Sequence, residues 1–172
     1  MKWKVQRKHS MRTEEYLVKT LTELGMTVTA VESCTGGLVA AAITSVPGSS
    51  LVLKQSYVTY CDDAKHRMVG VRKRTLKRHT AVSGETAAEM ASGGARKAKA
   101  DCCLSVTGYA GPDSGMGEPV GLVYIGCFVQ GRTTVKEFHF SGSREEVRMQ
   151  ARDTALRMLK KRLTAEKPSK VS

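Results

Sequence analysis

The chain has 172 residues, 41% of them hydrophobic, and a formal net charge of +12. This length suits one domain with a substantial core, and the apolar share is ordinary for a soluble protein. No apolar run approaches the roughly 20 residues of a bilayer span, and the basic start, residues 1–10, leads into Arg12-Thr13-Glu14-Glu15 with no apolar stretch between, so neither a membrane anchor nor a secretory signal is expected and the cytoplasm is the expected location.

In chain order, Leu17, Leu21 and Leu24 recur at helical spacing from about Arg12, with Val18 beside them and Gly25 as a stop. This predicts an amphipathic helix packed on a sheet. Met26 to Ala30 reads as a buried strand and the Ala-rich Leu38 to Ile43 as a helix. Between them stands Val31-Glu32-Ser33-Cys34-Thr35-Gly36-Gly37, so Ser33 sits where a strand turns into a helix. Two glycines allow a sharp bend and close approach to the backbone. The N–H groups of the helix start favour negative charge. A hydroxyl at such a turn can act as a nucleophile beside an oxyanion site; equally, Ser33 or Thr35 can simply cap the helix.

Pro47-Gly48 marks a turn, and the following Ser49 and Ser50 read either as donors to a phosphate or sugar or as turn residues. Leu51 to Leu53 and Tyr57 to Tyr60 read as strand, continuous through Lys54-Gln55-Ser56. Asp62-Asp63-Ala64-Lys65 opens a short helix. If the fold carries Lys65 beside Ser33, partial burial lowers its pKa and makes it a competent general base. Arg67 to Val71 and the basic segment after it read as a surface turn with a short helix. Ser83 caps a helix from Gly84 to about Lys99, with Ala87, Met90, Ala91 and Gly94 on one face.

Ala100 to Val106 is a compact apolar strand that delivers Thr107 into the Gly-rich run Thr107-Gly108-Tyr109-Ala110-Gly111-Pro112. This run is neither a Walker motif nor a dinucleotide fingerprint. Ligands of open α/β sheets sit at the carboxyl ends of strands, so Ser33, Tyr60 and Thr107 are expected to line one crevice. Val120 to Val129 and Thr133 to Phe140 flank Gln130-Gly131-Arg132 as a hairpin. Ser143-Arg144-Glu145-Glu146 is a capping box that opens a long helix to about Leu163, with Val147, Ala151, Ala155 and Leu159 as its apolar stripe. Arg144 and Arg148 fall on one face near its start, where a cation opposes the helix dipole. An anion nearby, or a carboxylate partner, would answer that conflict. Residues 1–10 and 165–172 are expected to be tails around a domain over 11–164.

Cys34, Cys61, Cys102, Cys103 and Cys127 show no zinc spacing, and the four histidines are scattered, so no metal is expected. Most of the cysteines read as reduced, buried, small hydrophobes, and the adjacent Cys102 and Cys103 should point to opposite faces of their strand. Much of the positive charge lies in the N-terminal tail, in Arg72-Lys73-Arg74 with Lys77 and Arg78, and in Arg157 to Arg162. Few aromatics accompany these clusters and none resembles a recognition helix, so specific nucleic-acid binding is not expected, whereas an anionic small substrate would benefit from the field.

Several of these segments together carry a resemblance. Val31 to Gly37, Val46-Pro47-Gly48-Ser49-Ser50, Tyr60 with Ala64-Lys65, Ala81-Val82-Ser83, Thr107 to Pro112 and Pro119-Val120-Gly121 stand in the order of the C-terminal domain family of the competence/damage-inducible protein CinA. The resemblance covers about residues 11–163. It implies a single-domain α/β fold, a three-layer α/β/α sandwich with a mixed sheet, and deamidation of nicotinamide mononucleotide to nicotinate mononucleotide and ammonia, with no cofactor. It further implies Ser33 as nucleophile, Lys65 as its base, and Tyr60 and Thr107 as supporting residues. Substrate-binding roles fall on Glu32, Thr35, Gly36, Gly37, Ser49, Ser50, Gly108, Ala110, Gly111 and an arginine of the last helix, Arg144 or Arg148. The oxyanion would be held by N–H groups at Gly36-Gly37, and the ribose phosphate by that arginine with Ser49 or Ser50. The partners implied are the nucleotide substrate and further copies of the chain. Three features depart from the family pattern: Tyr60-Cys61-Asp62-Asp63, where Asp62 would favour protonated Lys65; Tyr109 in place of a smaller apolar residue; and the basic tail. Cys34 is the rival nucleophile. A catalytically silent nucleotide- or nucleic-acid-binding domain, or an amidase for another carboxamide, are the other readings.

Overall fold

The computed structural model describes residues 11–114 and 117–165. The elements run α1 (Thr13–Leu24), β1 (Val28–Glu32), α2 (Leu38–Thr44), β2 (Tyr57–Val58), α3 (Asp62–Val69), α4 (Lys73–His79), α5 (Gly84–Ala98), β3 (Cys102–Gly108), β4 (Leu122–Val129), β5 (Arg132–His139) and α6 (Arg144–Ala165). They form one five-stranded mixed sheet in the order β2-β1-β3-β4-β5. β1 is parallel to both β2 and β3, while β4 and β5 continue antiparallel. α1, α2 and α6 cover one face through Leu17, Leu21, Ile43, Val147 and Leu159; Val69, Met90 and Ala95 of α3 and α5 cover the other. This is the three-layer α/β/α arrangement, and Cys102 and Cys103 fall in the two separate cores.

Local chemistry accounts for most boundaries. Gly25 ends α1 in the left-handed conformation at φ 64°, and Ser83 Oγ accepts from the Thr86 N–H to open α5. At α6 the Ser143 N–H donates to Glu146 Oε2 at 2.7 Å and the Glu146 N–H donates to Ser143 Oγ at 3.3 Å, a reciprocal capping box. Gly94 lets α5 lie close on the sheet, since a Cβ there would stand 2.3 Å from Val31 Cγ2.

Three expectations are corrected. The stretch from Leu51 to Tyr60 is not a continuous strand: a 3₁₀ turn covers Ser49–Leu51, Leu53 makes one isolated bridge to Val28, and only Tyr57–Val58 is strand. Side chains replace the missing ladder, Thr29 Oγ1 donating to Gln55 O at 2.9 Å and Ser56 Oγ donating to Ala30 O at 2.8 Å. Residues 67–69 belong to α3 and not to a surface turn, while the basic segment that follows forms the expected short helix, α4. α6 continues to Ala165, past the expected stop at Leu163. The expected tails, 1–10 and the rest of 165–172, lie outside the described residues. Among the described residues no helix is long and apolar enough to cross a membrane.

Candidate active site

The carboxyl ends of β1 and β3 lie side by side, and Ser33 follows β1 directly, its N–H donating to Val106 O at 2.9 Å. Alternation along β1 sends Val28, Ala30 and Glu32 toward α2 and α6. Glu32 therefore lies beneath the start of α2, fully buried, where its two carboxyl oxygens accept the N–H groups of Gly37 at 3.0 Å, Val39 at 3.1 Å and Ala40 at 2.9 Å. The sharp turn between them needs glycine: Gly36 and Gly37 have φ of 59° and 105°.

Lys65 meets Ser33 from the other side. Its Nζ donates to Ser33 Oγ at 3.2 Å, to Thr59 O at 2.9 Å and to Tyr60 O at 3.5 Å, and the residue is only 1% exposed. Among the described residues it forms no ion pair with a carboxylate. Burial holds the ammonium below its ordinary pKa; the Asp62 charge opposes this without reversing it. The expected penalty from Asp62 is thus outweighed by desolvation. Burial also pushes the Cys34 thiol up to about 11, so at neutral pH Cys34 carries almost no thiolate and is a poor rival to Ser33.

Ser33, Lys65, Tyr60 and Thr107 share one cleft of about 260 Å³, together with Gly108, Ala110, Gly111 and Arg144. Thr107 is buried, and its hydroxyl donates to Ala81 O at 2.7 Å. Arg144 crosses the cleft from the first turn of α6, donating to Gly111 O at 2.5 Å and to the Tyr60 hydroxyl at 3.0 Å. Val82, Tyr109 and Asp113 also line the cleft. The sequence pattern does not single out Val82 or Asp113 as site residues; the proximity of Ala81-Val82-Ser83 to the Gly-rich run in the list of shared segments was the available signal for Val82.

Several residues expected at the substrate have other work. Glu32 and the Gly37 N–H are committed to each other, and the Gly36 N–H donates to Ser33 O at 3.0 Å, so neither glycine N–H is a free oxyanion donor. Thr35 is fully buried and does not line the cleft. Arg148 reaches the back of the turn, donating to Cys34 O at 3.0 Å and to Thr35 O at 3.1 Å. Of the two arginines, Arg144 faces the cleft and Arg148 braces the turn after Ser33. Ser49 and Ser50 lie beyond the far end of α2, beside Val52, whose carbonyl accepts from Val28 at the opposite end of β1. In this chain they are remote from Ser33 because α2 runs antiparallel to β1 and carries them away from the cleft.

Among the described residues two buried side-chain oxygens, Thr35 Oγ1 and Thr59 Oγ1, have no hydrogen-bond partner. Thr35 stands two residues after Ser33 and the Thr59 carbonyl accepts from Lys65, but neither residue lines the cleft. Among the described residues no cluster of His, Cys, Asp or Glu is placed to hold a metal ion.

The fold and sequence recur in known proteins. The CinA C-terminal domain profile matches residues 10–163. A CinA-like protein of Kosmotoga olearia is 46% identical over 151 residues, which are 87% of this chain and 37% of that protein. A CinA-like protein of Endomicrobium trichonymphae is 46% identical over 149 residues, 86% of this chain and 35% of its own length. The chain thus spans little more than a third of these relatives. The crystal structure of the competence damage-inducible protein A from Klebsiella pneumoniae superposes with a TM-score of 0.87 at 36% identity, covering 91% of this chain and 99% of that one. The competence/damage inducible protein CihA from Agrobacterium tumefaciens gives 0.85 at 39% identity, covering 88% and 93%. With sequence, fold and the order of its motifs in agreement, the chain belongs to the CinA C-terminal domain family.

Proposed function

We propose that the chain is a nicotinamide-nucleotide amidase, hydrolysing the carboxamide of nicotinamide mononucleotide to nicotinate mononucleotide and ammonia. The observation that carries this reading is the buried Lys65 Nζ, 3.2 Å from Ser33 Oγ on the wall of a cleft that also holds Arg144. A lysine without a carboxylate partner and with a lowered pKa is poised as a base, and a serine within hydrogen-bond reach is its nucleophile.

In the forward step neutral Lys65 takes the Ser33 proton across their 3.2 Å hydrogen bond, and Oγ bonds to the carboxamide carbon. The Cys34 N–H, of the residue after the nucleophile, is the donor assigned to the negative oxygen. Protonated Lys65 then gives its proton to the amide nitrogen, the C–N bond breaks and ammonia leaves. Water attacks the ester with Lys65 again as base, the C–Oγ bond breaks, and the carboxylic acid is released with Ser33 restored. Arg144 supplies a planar, charged donor for the substrate phosphate, and Tyr109 an aromatic wall for the pyridinium ring.

The test is ammonia release from nicotinamide mononucleotide by the wild type beside Ser33→Ala. Turnover in the wild type that falls by at least about 10³-fold in the variant supports the reading. Undiminished turnover in Ser33→Ala overturns the nucleophile, and a folded wild type with no turnover overturns the amidase.

A further inference from the structure

The strongest charge anomaly lies outside the cleft. α4 (Lys73–His79) presents Lys73, Arg74, Lys77 and Arg78 to solvent, while Thr75 and Leu76 turn inward. At this spacing Lys73 sits over Lys77 and Arg74 over Arg78, two like-charge pairs that repel. The helix has no acid in its first turn to offset them. Among the described residues none of these four side chains forms an ion pair or a hydrogen bond, although Lys73 and Lys77 line one surface cavity with Asp62 and Asp63.

The cationic surface continues onto α5. The Arg96 guanidinium lies 3.3 Å from the Cβ position at Gly70, the cap that ends α3, and Lys97 and Lys99 are exposed beside it. Of the acids that border this strip, Glu89 holds Arg72 and Asp63 holds Arg67 at 3.2 Å, Glu85 lies 3.4 Å from His79, and Asp62 forms no ion pair among the described residues. On α5 the cations stand in and just past its last turn, at Arg96, Lys97 and Lys99. α4 carries no aromatic side chain on which an unpaired base could stack, which favours a duplex backbone over a single strand.

We infer that the outer face of α4 with the C-terminal end of α5 is a sequence-independent docking surface for the phosphate backbone of a nucleic-acid duplex. The inference does not depend on the amidase. Binding of this kind releases counterions, so its affinity falls steeply with salt. With four phosphates contacted, the slope of log affinity against log salt is about −3.6, a loss on the order of 10²-fold between 50 and 200 mM.

The experiment is fluorescence anisotropy of a labelled 20-base-pair DNA duplex titrated with the full chain at several salt concentrations. It is repeated with Lys73→Gln/Arg74→Gln/Lys77→Gln/Arg78→Gln and, separately, with Arg96→Gln/Lys97→Gln. All six positions are exposed and outside the cleft, so circular dichroism and ammonia release serve as controls. The wild type should bind two unrelated duplexes equally, and the α4 variant should lose at least about tenfold in affinity and flatten the slope by about 2 or more, with a smaller loss in the α5 variant. Wild type that fails to bind, binds without salt dependence, or binds only vesicles of anionic lipid overturns the inference. So does an α4 variant within twofold of wild type, which would move the contact to another part of the chain.

Discussion

The two sides of Ser33 each bury one ionisable side chain, and they house it in opposite ways. On the α2 side Glu32 is enclosed by donors, its two oxygens sharing three backbone N–H groups. On the α3 side Lys65 faces two backbone carbonyls and one hydroxyl, with no carboxylate within ion-pair distance among the described residues. The first arrangement satisfies a group and fixes a backbone. The second leaves a cation poorly compensated, which lowers its proton affinity and makes it reactive. Burial alone therefore does not identify a functional charge; what its partners are does.

The sharpest way to break this comparison is at Lys65. Lys65→Met keeps the apolar stem and should lower ammonia release by about 10²–10⁴-fold, the range for a lost general base. Its stability should be equal to wild type or higher by about 1–2 kcal/mol in urea unfolding, because a poorly compensated buried cation is gone. Glu32→Gln should do the reverse. It removes an acceptor from beneath α2 and should cost about 1–3 kcal/mol in the same unfolding experiment.

The two arginines give a finer test. Arg144→Gln should raise KM for the nucleotide with a smaller change in kcat, since its donors face the cleft. Arg148→Gln should lower kcat by about tenfold with KM nearly unchanged, because it loosens the Cys34–Thr35 peptide and with it the oxyanion donor. Steady-state kinetics over substrate concentration separates the two outcomes.

The smallest expected effect is on pH. The folded chain holds the Lys65 proton more weakly than the unfolded chain does, so between the lowered folded pKa and the ordinary value of about 10.4 the unfolded state binds more protons. Stability contributed by this residue therefore rises with pH through that window. Any stability advantage of Lys65→Met over wild type should be largest below the window and shrink as pH climbs through it, and kcat/KM of the wild type should rise along the same limb. A Tm difference that is flat with pH would contradict the assignment.

Much of this was legible in the sequence where the signal is local. The Gly25 stop, the Ser83 cap, the Ser143 capping box and the Gln130-Gly131 hairpin turn each depend on a few adjacent residues. The convergence of Ser33, Tyr60 and Thr107 follows from a topological rule about strand ends, and Lys65 joined them through the resemblance. What escaped depends on register between distant elements. Arg144 and Arg148 share a helix face, and only the docking of α6 against the turn decides which one enters the cleft. Glu32 lies in a strand buried throughout, so its destination is visible only from the two-residue alternation that groups it with Val28 and Ala30. The resemblance implies Ser49 and Ser50 at the substrate, and in the structure they stand past the far end of α2, away from Ser33.

The brace from Arg148 to the Ser33 turn joins residues 114 positions apart. β1 and β3, whose ends form the cleft, pair residues 74 positions apart, Val28 with Cys102. Such contacts close long loops, and a folding chain forms them only after the entropy of closure has been met. The β4–β5 hairpin and α6 can organise early from near neighbours, but the turn after Ser33 takes shape only when α6 settles against the sheet. A chain halted before that step would hold Ser33 and Lys65 without the brace that aligns the turn, so the proposed ammonia release should be the last property gained in refolding, after most helical signal has returned.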